Sequence, residues 1–417
     1  MAMKKLFRIA ALTAPLLAAI SCIYPFTPEL LQSNEYPLVV EGDIHLGSET
    51  VLILSHVRPL NDKDYEADNI YARGYIEGED GTRIEGVDAI SDGTVTGGGT
   101  YYSSGYYGPS RRVIRFDTSE TTKSQRYRLH FDTLTPSGTL LNSFESDWLD
   151  PCPAPTIDRL SYSKQDDYDE LWIGLSMHCH GAHHFRWSFS EVWEYSSDVA
   201  SYLKYIPETR SVEHYDTGES TLYYCWKSLQ SGQINIFSTV NQKEDRFEEL
   251  AFHTIPLTNQ RLQIMYHITV RLEALSENAY NYWYNIQQNT EGQGDIFSPM
   301  PSEMASNVHC VTDPSLQVLG YLNAAFQAES DLYYDNRQNH YYRFTHSVFT
   351  HDEQKVSASR RDSLEYWYTR GYLPTDELYE GFAFEPTHYM WDKAECVDCR
   401  KQGGTKVKPA GWPNDDR

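Results

Sequence analysis

From Leu262 every second residue is apolar, namely Leu262, Ile264, Tyr266, Ile268, Val270 and Leu272, while Gln263, His267, Thr269, Arg271 and Glu273 between them are mostly polar. Period-two alternation predicts a strand with one face buried and the other in water. After Leu275-Ser276 the period becomes helical, with Ala279, Tyr280, Trp283, Tyr284 and Gln287 on one stripe. Ser276 is placed to cap that helix, Leu275 to staple onto Tyr280, and Gly292 and Gly294 to stop it. A loop over 294–302 then leads to a second strand, Leu316 to Phe326. The unit is strand, capped helix, loop, strand.

The same short-period pattern runs through the rest of the chain. Between residues 38 and 150 apolar runs such as Leu38 to Ile44, Val51 to Leu54, Asn69 to Glu77, Arg111 to Asp117 and Gln125 to Thr133 alternate with turn signals, Asp80-Gly81 and Pro136-Ser137-Gly138 among them. About seven strands in roughly 110 residues predict an immunoglobulin-like β-sandwich. The Pro-rich stretch Asp150 to Pro155 is the expected joint to a larger β-rich domain, 151–395, with the Ser276 helix and a second helix near Ser363 to Arg370. The overall class is mainly β. The Cys-x-x-Cys and basic tail, 396–417, is expected to be extended. The Gly-, Ser- and Tyr-rich loop 91–110 exposes Tyr101, Tyr102, Tyr106 and Tyr107, side chains suited to a ligand or partner. Of the tryptophans, Trp187, Trp193 and Trp283 are assigned to the core.

Residues 1–21 carry Lys4, Lys5 and Arg8 followed by an apolar run, Ile9 to Ile20, too short to span a bilayer. With Ala19-Ile20-Ser21 before Cys22, this is a bacterial export signal of the lipoprotein kind, with Cys22 as the lipidated residue and 22–37 as a tether. The net charge of −24 argues against nucleic acid and anionic lipid headgroups as partners. Six further cysteines, Cys152, Cys179, Cys225, Cys310, Cys396 and Cys399, are disulfide candidates in an oxidising compartment, with the connectivity left open.

Candidate chemistry is sparse. In Met177 to His184, His178 and His180 fall on one face of a strand, and Gly181 permits a turn that returns His183 or His184. Such a set suits Zn²⁺ or copper. The competing reading is a His-rich hairpin with Cys179 in a disulfide, and no cofactor is expected. Cys396-x-x-Cys399 lacks a second pair for zinc, so a structural disulfide is expected. The nucleophile elbow Gly-x-Ser-x-Gly, the zinc motif His-Glu-x-x-His and a phosphate-binding Gly-rich loop do not occur. Glu191 and Glu194, three apart on a strand, face opposite sides and cannot flank one glycosidic bond. The chain does not read as an enzyme.

Several stretches taken in order resemble a family of Bacteroidetes cell-envelope lipoproteins carrying domain of unknown function 4249. They are Cys22 to Phe26, Leu38-Val39-Val40-Glu41-Gly42, Pro155 to Asp158, Arg186-Trp187, Cys225-Trp226, Leu275-Ser276 with Ala279-Tyr280 and Trp283, Ile296 to Pro299, Val318-Leu319-Gly320-Tyr321, and Cys396 to Arg400. The resemblance implies an accessory, ligand-binding lipoprotein of the outer membrane, associated with a TonB-dependent transporter and nutrient uptake. It implies no catalytic residues. Ile23 to Pro28 has no acidic residue of the kind that marks surface export, so the periplasmic and cell-surface leaflets both remain open. The alternative is an envelope metal-binding or hydrolytic lipoprotein built on the His178–His184 hairpin.

Overall fold

The alternating stretch forms the strand Met265–Ala274, with Tyr266, Ile268, Val270 and Leu272 all fully buried. It starts later than the alternation suggests. Gln260–Leu262 is a 3-10 turn instead, closed by the Asn259 side chain accepting the Arg261 N–H at 3.0 Å. The helix that follows, Glu277–Glu291, is capped as expected, with Ser276 Oγ accepting the Ala279 N–H at 3.2 Å. Of the expected stripe, Ala279, Tyr280, Trp283 and Gln287 are buried or partly buried and Tyr284 alone is exposed; Tyr282 joins that face against Tyr321, and Trp283 lies over Arg186. This computed structural model describes residues 37–57, 69–89, 111–122, 124–216, 219, 221–291, 306–343 and 349–413. Cys22 and Tyr101, Tyr102, Tyr106 and Tyr107 lie outside the described residues.

The architecture is mainly β. A nine-stranded sheet runs in the order Val308–Cys310, Leu140–Ser146, Tyr127–Leu134, Tyr71–Gly78, Arg83–Ala89, Arg112–Asp117, Glu49–His56, Leu38–Glu41, Val318–Leu319. Its two halves contribute to one core, Leu52, Leu54 and Phe116 from one side and Ile76, Leu129 and Phe131 from the other, so the sheet makes a sandwich of itself. A second core lies between a three-stranded sheet centred on Glu170–His178 and a six-stranded sheet. The six-stranded sheet runs Tyr224–Gln230, His184–Ser196, Met265–Ala274, Ala324–Asp335, Ile44–Leu46, with Asn235–Ser238 also paired to His184–Ser196. A third, smaller core of Tyr205, Val356, Leu364 and Trp391 sits under the sheet formed by Gln354–Ser357, His388–Lys393 and Tyr372–Leu378, with the helix Arg361–Thr369.

Segment 38–150 does not complete its own sheet. Residues beyond 300 supply both edge strands, and Ile44–Leu46 leaves to join the other sandwich. The strand expected over Leu316 to Phe326 is accordingly two strands. Val318–Leu319 pairs in parallel with Leu38–Glu41, and Ala324–Asp335 pairs with both Met265–Ala274 and Ile44–Leu46. Two chain segments therefore cross side by side from one sheet to the other, and each turns on a glycine. Gly42 has φ +136° and Gly320 φ +128°, conformations that disfavour a side chain. A Cβ on Gly320 would fall 2.1 Å from the Val40 carbonyl oxygen. From Pro37 onward the chain is one compact unit.

Of the six disulfide candidates only Cys225 and Cys399 are joined; Cys152, Cys179, Cys310 and Cys396 are free and buried. The Cys396–Cys399 pair does not form, because Cys399 is carried against the strand holding Cys225. Burial pushes the Cys152 and Cys396 thiols up to about 12 and Cys179 up to about 11, which keeps all three protonated. The tail is ordered through Trp412: Thr405 pairs with Trp226, and buried Trp412 donates to Glu194 at 3.4 Å. Among the described residues no helix is long and apolar enough to cross a membrane.

Candidate functional site

The histidine hairpin is only partly assembled. His178 ends its strand and places Nε2 2.8 Å from Asp245 Oδ2. His180 turns through a left-handed conformation, φ +52°, packs its ring at a tilt with its centroid 3.9 Å from that of His178, and pairs with Thr156 Oγ1 at 2.9 Å. Asp245 also accepts the Gly181 N–H at 2.9 Å, and this bond, with His178, holds its carboxyl below the usual range. His183 is exposed, and His184 packs at a tilt against Tyr280, ring centroids 4.5 Å apart, where burial lowers its pKa. Among the described residues these four histidines do not form a set whose ligand atoms share one point. Cys179 is buried in the core, in no disulfide. Glu191 and Glu194 are both buried with separate partners, Tyr266 and His253 for the first and Trp412 for the second.

The densest polar cluster lies where the two crossing segments enter the second sandwich. Arg186 and Glu273 are cross-strand partners, so their side chains share a face. His45 pairs with Ala325 on the same sheet, and the small Ala325 side chain lets His45 reach Glu273, Nε2 to Oε2 3.1 Å. Arg186 Nε donates to Glu273 Oε1 at 2.7 Å, and Nη2 donates to both Glu273 and Asp43. Asp43 Oδ1 accepts the Asn323 N–H at 2.7 Å, and Asn323 bonds Ala274 and Ser276 at the start of the helix. Trp283 covers the guanidinium at 4.9 Å. Asp43, Arg186 and Glu273 are all at most 5% exposed.

Glu273 belongs to the face expected to be wet, and the packing of the two sandwiches buries it. Burial opposes its ionisation, but Arg186 and His45 overrule this and bring its carboxyl down to about 2. Burial raises Asp43, further helped by Glu273 and opposed by Arg186. Burial also opposes charge on His45, yet its hydrogen bond to Glu273 and the charges of Glu273 and Asp43 outweigh that and raise it above 6.5. Asp43, His45 and Glu273 present ligand atoms within 4.8 Å of one another, but the guanidinium already sits on both carboxylates as a fixed internal cation. The cluster is a charge-compensated joint. No sequence pattern marks it, because its members come from three segments separated by 87 to 228 residues.

A group with a raised folded-state pKa contributes stability that is full below its unfolded value and lost as pH rises through the folded one. For His45 that loss sets in above about pH 6.5. Thermal melts of wild type and His45→Gln from about pH 5 to about pH 9 are expected to converge at the alkaline end. A gap that does not change with pH would mean that the ring titrates alike in the folded and unfolded chains.

A second feature absent from the sequence reading is the connection between Tyr372–Leu378 and His388–Lys393. It is closed by the Thr387 N–H and Oγ1, which donate to the Leu378 carbonyl at 2.9 and 3.0 Å, and it turns through Gly381, φ +69°. At its tip Phe382 and Phe384 are 101% and 99% exposed, and Tyr379 is 53% exposed. An open cleft of about 640 Å³ lies beside Phe384, bounded by Ser357, Ser359, Pro386 and His388.

No curated protein matches the chain. Among solved structures, the crystal structure of a DUF4785 family protein from Legionella pneumophila subsp. pneumophila str. Philadelphia 1 is similar at 11% identity, over 56% of this chain and 51% of that one, with a TM-score of 0.20. This chain spans about half of that protein, and a likeness so slight bears on neither fold nor function. The family described as Domain of unknown function (DUF4249) matches residues 23–331. That span holds the alternating strand, its capped helix, both crossing glycines and all four members of the buried charge cluster, and the chain belongs to this DUF4249 family.

Proposed function

We propose that this protein is a lipid-anchored accessory lipoprotein of the outer membrane, of the Bacteroidetes kind that the resemblance implies, and that it works beside a TonB-dependent transporter in nutrient uptake. Cys22 would carry the lipid, and the family match begins at the residue after it. The observation that carries an interaction role is the tip holding Phe382 and Phe384. Burying a phenylalanine side chain gains about 1.5 to 3 kcal/mol, so two held fully in water are a standing drive to dock. Glu377, Glu380 and Glu385 flank the tip, and Lys355 engages Glu380. An acidic rim around aromatic anchors suits an apolar pocket on a protein better than an anionic lipid surface. The alternative of a metal or hydrolytic centre at His178–His184 loses force because His183 and His184 stand apart from the other two.

Purification from native outer membranes in mild detergent, followed by mass spectrometry, tests this reading. A stoichiometric TonB-dependent transporter is expected with the wild type. With Phe382→Ala/Phe384→Ala its recovery should fall at least about tenfold while the melting temperature is unchanged. A wild-type protein recovered alone, under conditions that preserve other such complexes, would sink the accessory role. A transporter recovered equally with the variant would place the contact elsewhere.

A further inference from the structure

Away from the joint and the hairpin tip, three side chains from distant parts of the sequence meet. Asp198 follows the strand His184–Ser196, His351 precedes Gln354–Ser357, and Cys396 lies in the short helix Ala394–Val397. A carboxylate oxygen, an imidazole nitrogen and the thiol sulfur lie within 4.8 Å of one another. The backbone is tied at the same place, with the Val199 N–H donating to the Cys396 carbonyl at 2.9 Å.

A fourth residue orients the imidazole. Asp392, 1% exposed, uses Oδ1 to accept the N–H groups of Asp352 at 2.9 Å and Lys393 at 2.8 Å. Its Oδ2 lies 2.6 Å from His351 Nδ1. A carboxylate only accepts, so Nδ1 carries a proton, and Nε2, 3.9 Å from Asp198 Oδ2, is the ring nitrogen left to face a ligand.

We propose that Asp198, His351 and Cys396 bind one divalent transition-metal ion of the Zn²⁺ class, with Asp392 holding the histidine ligand in place. The donor set is one nitrogen, one oxygen and the Cys396 sulfur, whose thiol proton the incoming ion displaces to solvent, and it suits zinc and excludes the hard, all-oxygen ions magnesium and calcium. Donors about 2.0 to 2.3 Å from a tetrahedral ion stand about 3.6 Å apart, so small rotations of these side chains complete the site. The carboxylate behind the non-ligating ring nitrogen is the arrangement that metal-bound histidines use. His351 and Asp198 expose 39% and 16% of their side chains, which gives the ion an entry path and leaves water for its fourth position.

Two other readings fit less well. Cys396, His351 and Asp392 have the connectivity of a nucleophile, its base and an orienting acid. Cys396 is fully buried, however, and no substrate carbonyl reaches its sulfur. The cluster of Asp43, His45 and Glu273 already holds the guanidinium of Arg186. The proposed ion would brace the sheet that carries the Phe382–Phe384 tip, and the site stands whether or not that tip docks on a transporter.

The test uses the full-length protein, desalted and titrated with Co²⁺ and then displaced with Zn²⁺. One equivalent of Co²⁺ is expected, with a near-ultraviolet thiolate-to-cobalt charge-transfer band that Zn²⁺ abolishes. Cys396→Ser should remove the band. Because that residue is buried, the exposed variant His351→Gln is read beside it and should lose the band while keeping the melting temperature of the chelated wild type. Asp392→Asn is expected to weaken binding by about 10- to 100-fold. His178→Ala/His180→Ala should change nothing. Absence of a charge-transfer band in the folded wild type would overturn the proposal. So would a band that survives His351→Gln or vanishes in His178→Ala/His180→Ala.

Discussion

Replacing Arg186 by leucine is expected to cost about 3 to 5 kcal/mol at neutral pH, because it leaves two buried carboxylates without their shared cation. Leucine keeps much of the volume beneath Trp283, so the loss is chiefly electrostatic. Urea unfolding followed by tryptophan fluorescence measures it. The diagnostic result is the rescue. Adding Asp43→Asn and Glu273→Gln to Arg186→Leu removes the stranded charges, and the combined variant should be more stable than Arg186→Leu alone by about 1 to 3 kcal/mol. A single variant costing less than about 1 kcal/mol would mean that water reaches the cluster and screens it.

The second large effect concerns the backbone. Gly320→Ala is expected to cost about 4 kcal/mol, combining about 1 to 3 kcal/mol for an unfavourable φ with about 1 to 3 for a methyl group driven into the Val40 carbonyl. Gly42→Ala should behave alike, since its Cβ would meet the Val51 carbonyl oxygen at 2.4 Å. Gly138→Ala is the control. Its φ is also positive, +83°, but nothing lies within 4 Å, so it should lose only about 1 kcal/mol. Similar melting temperatures for all three would show that the crossing segments can separate at little cost.

The two effects share a cause. Four of the stretches that carry the family resemblance meet at this joint: Leu38 to Gly42, Arg186-Trp187, Leu275-Ser276 with Trp283, and Val318 to Tyr321. Leu38 pairs with Val318 and Val39 with Leu319, so two motifs some 280 residues apart in sequence are one piece of parallel sheet. Asn323 then links Asp43 to the helix start at Ser276. The stretches thus hold the two sandwiches in register rather than lining an open cleft.

The sequence alone was enough for the features that depend on neighbours a few positions away. Alternation predicts the strand ending at Ala274, and a serine side chain predicts the cap at Ser276; Gly292 and Gly294, expected to stop that helix, lie outside the described residues. The helix expected near Ser363 is found at Arg361–Thr369. Each follows from local periodicity or hydrogen bonding. Tertiary structure decided the rest. Only the pairing of distant strands could turn Glu273 from a wet residue into a buried one, send Val318–Leu319 to a different sheet from Ala324–Asp335, or join Cys399 to Cys225 instead of Cys396. It also parted His183 and His184 from His178 and His180, and gathered Asp198, His351 and Cys396. Contacts between residues so far apart carry no periodic signal, because they are set by which strands share an edge, and that choice belongs to the whole fold.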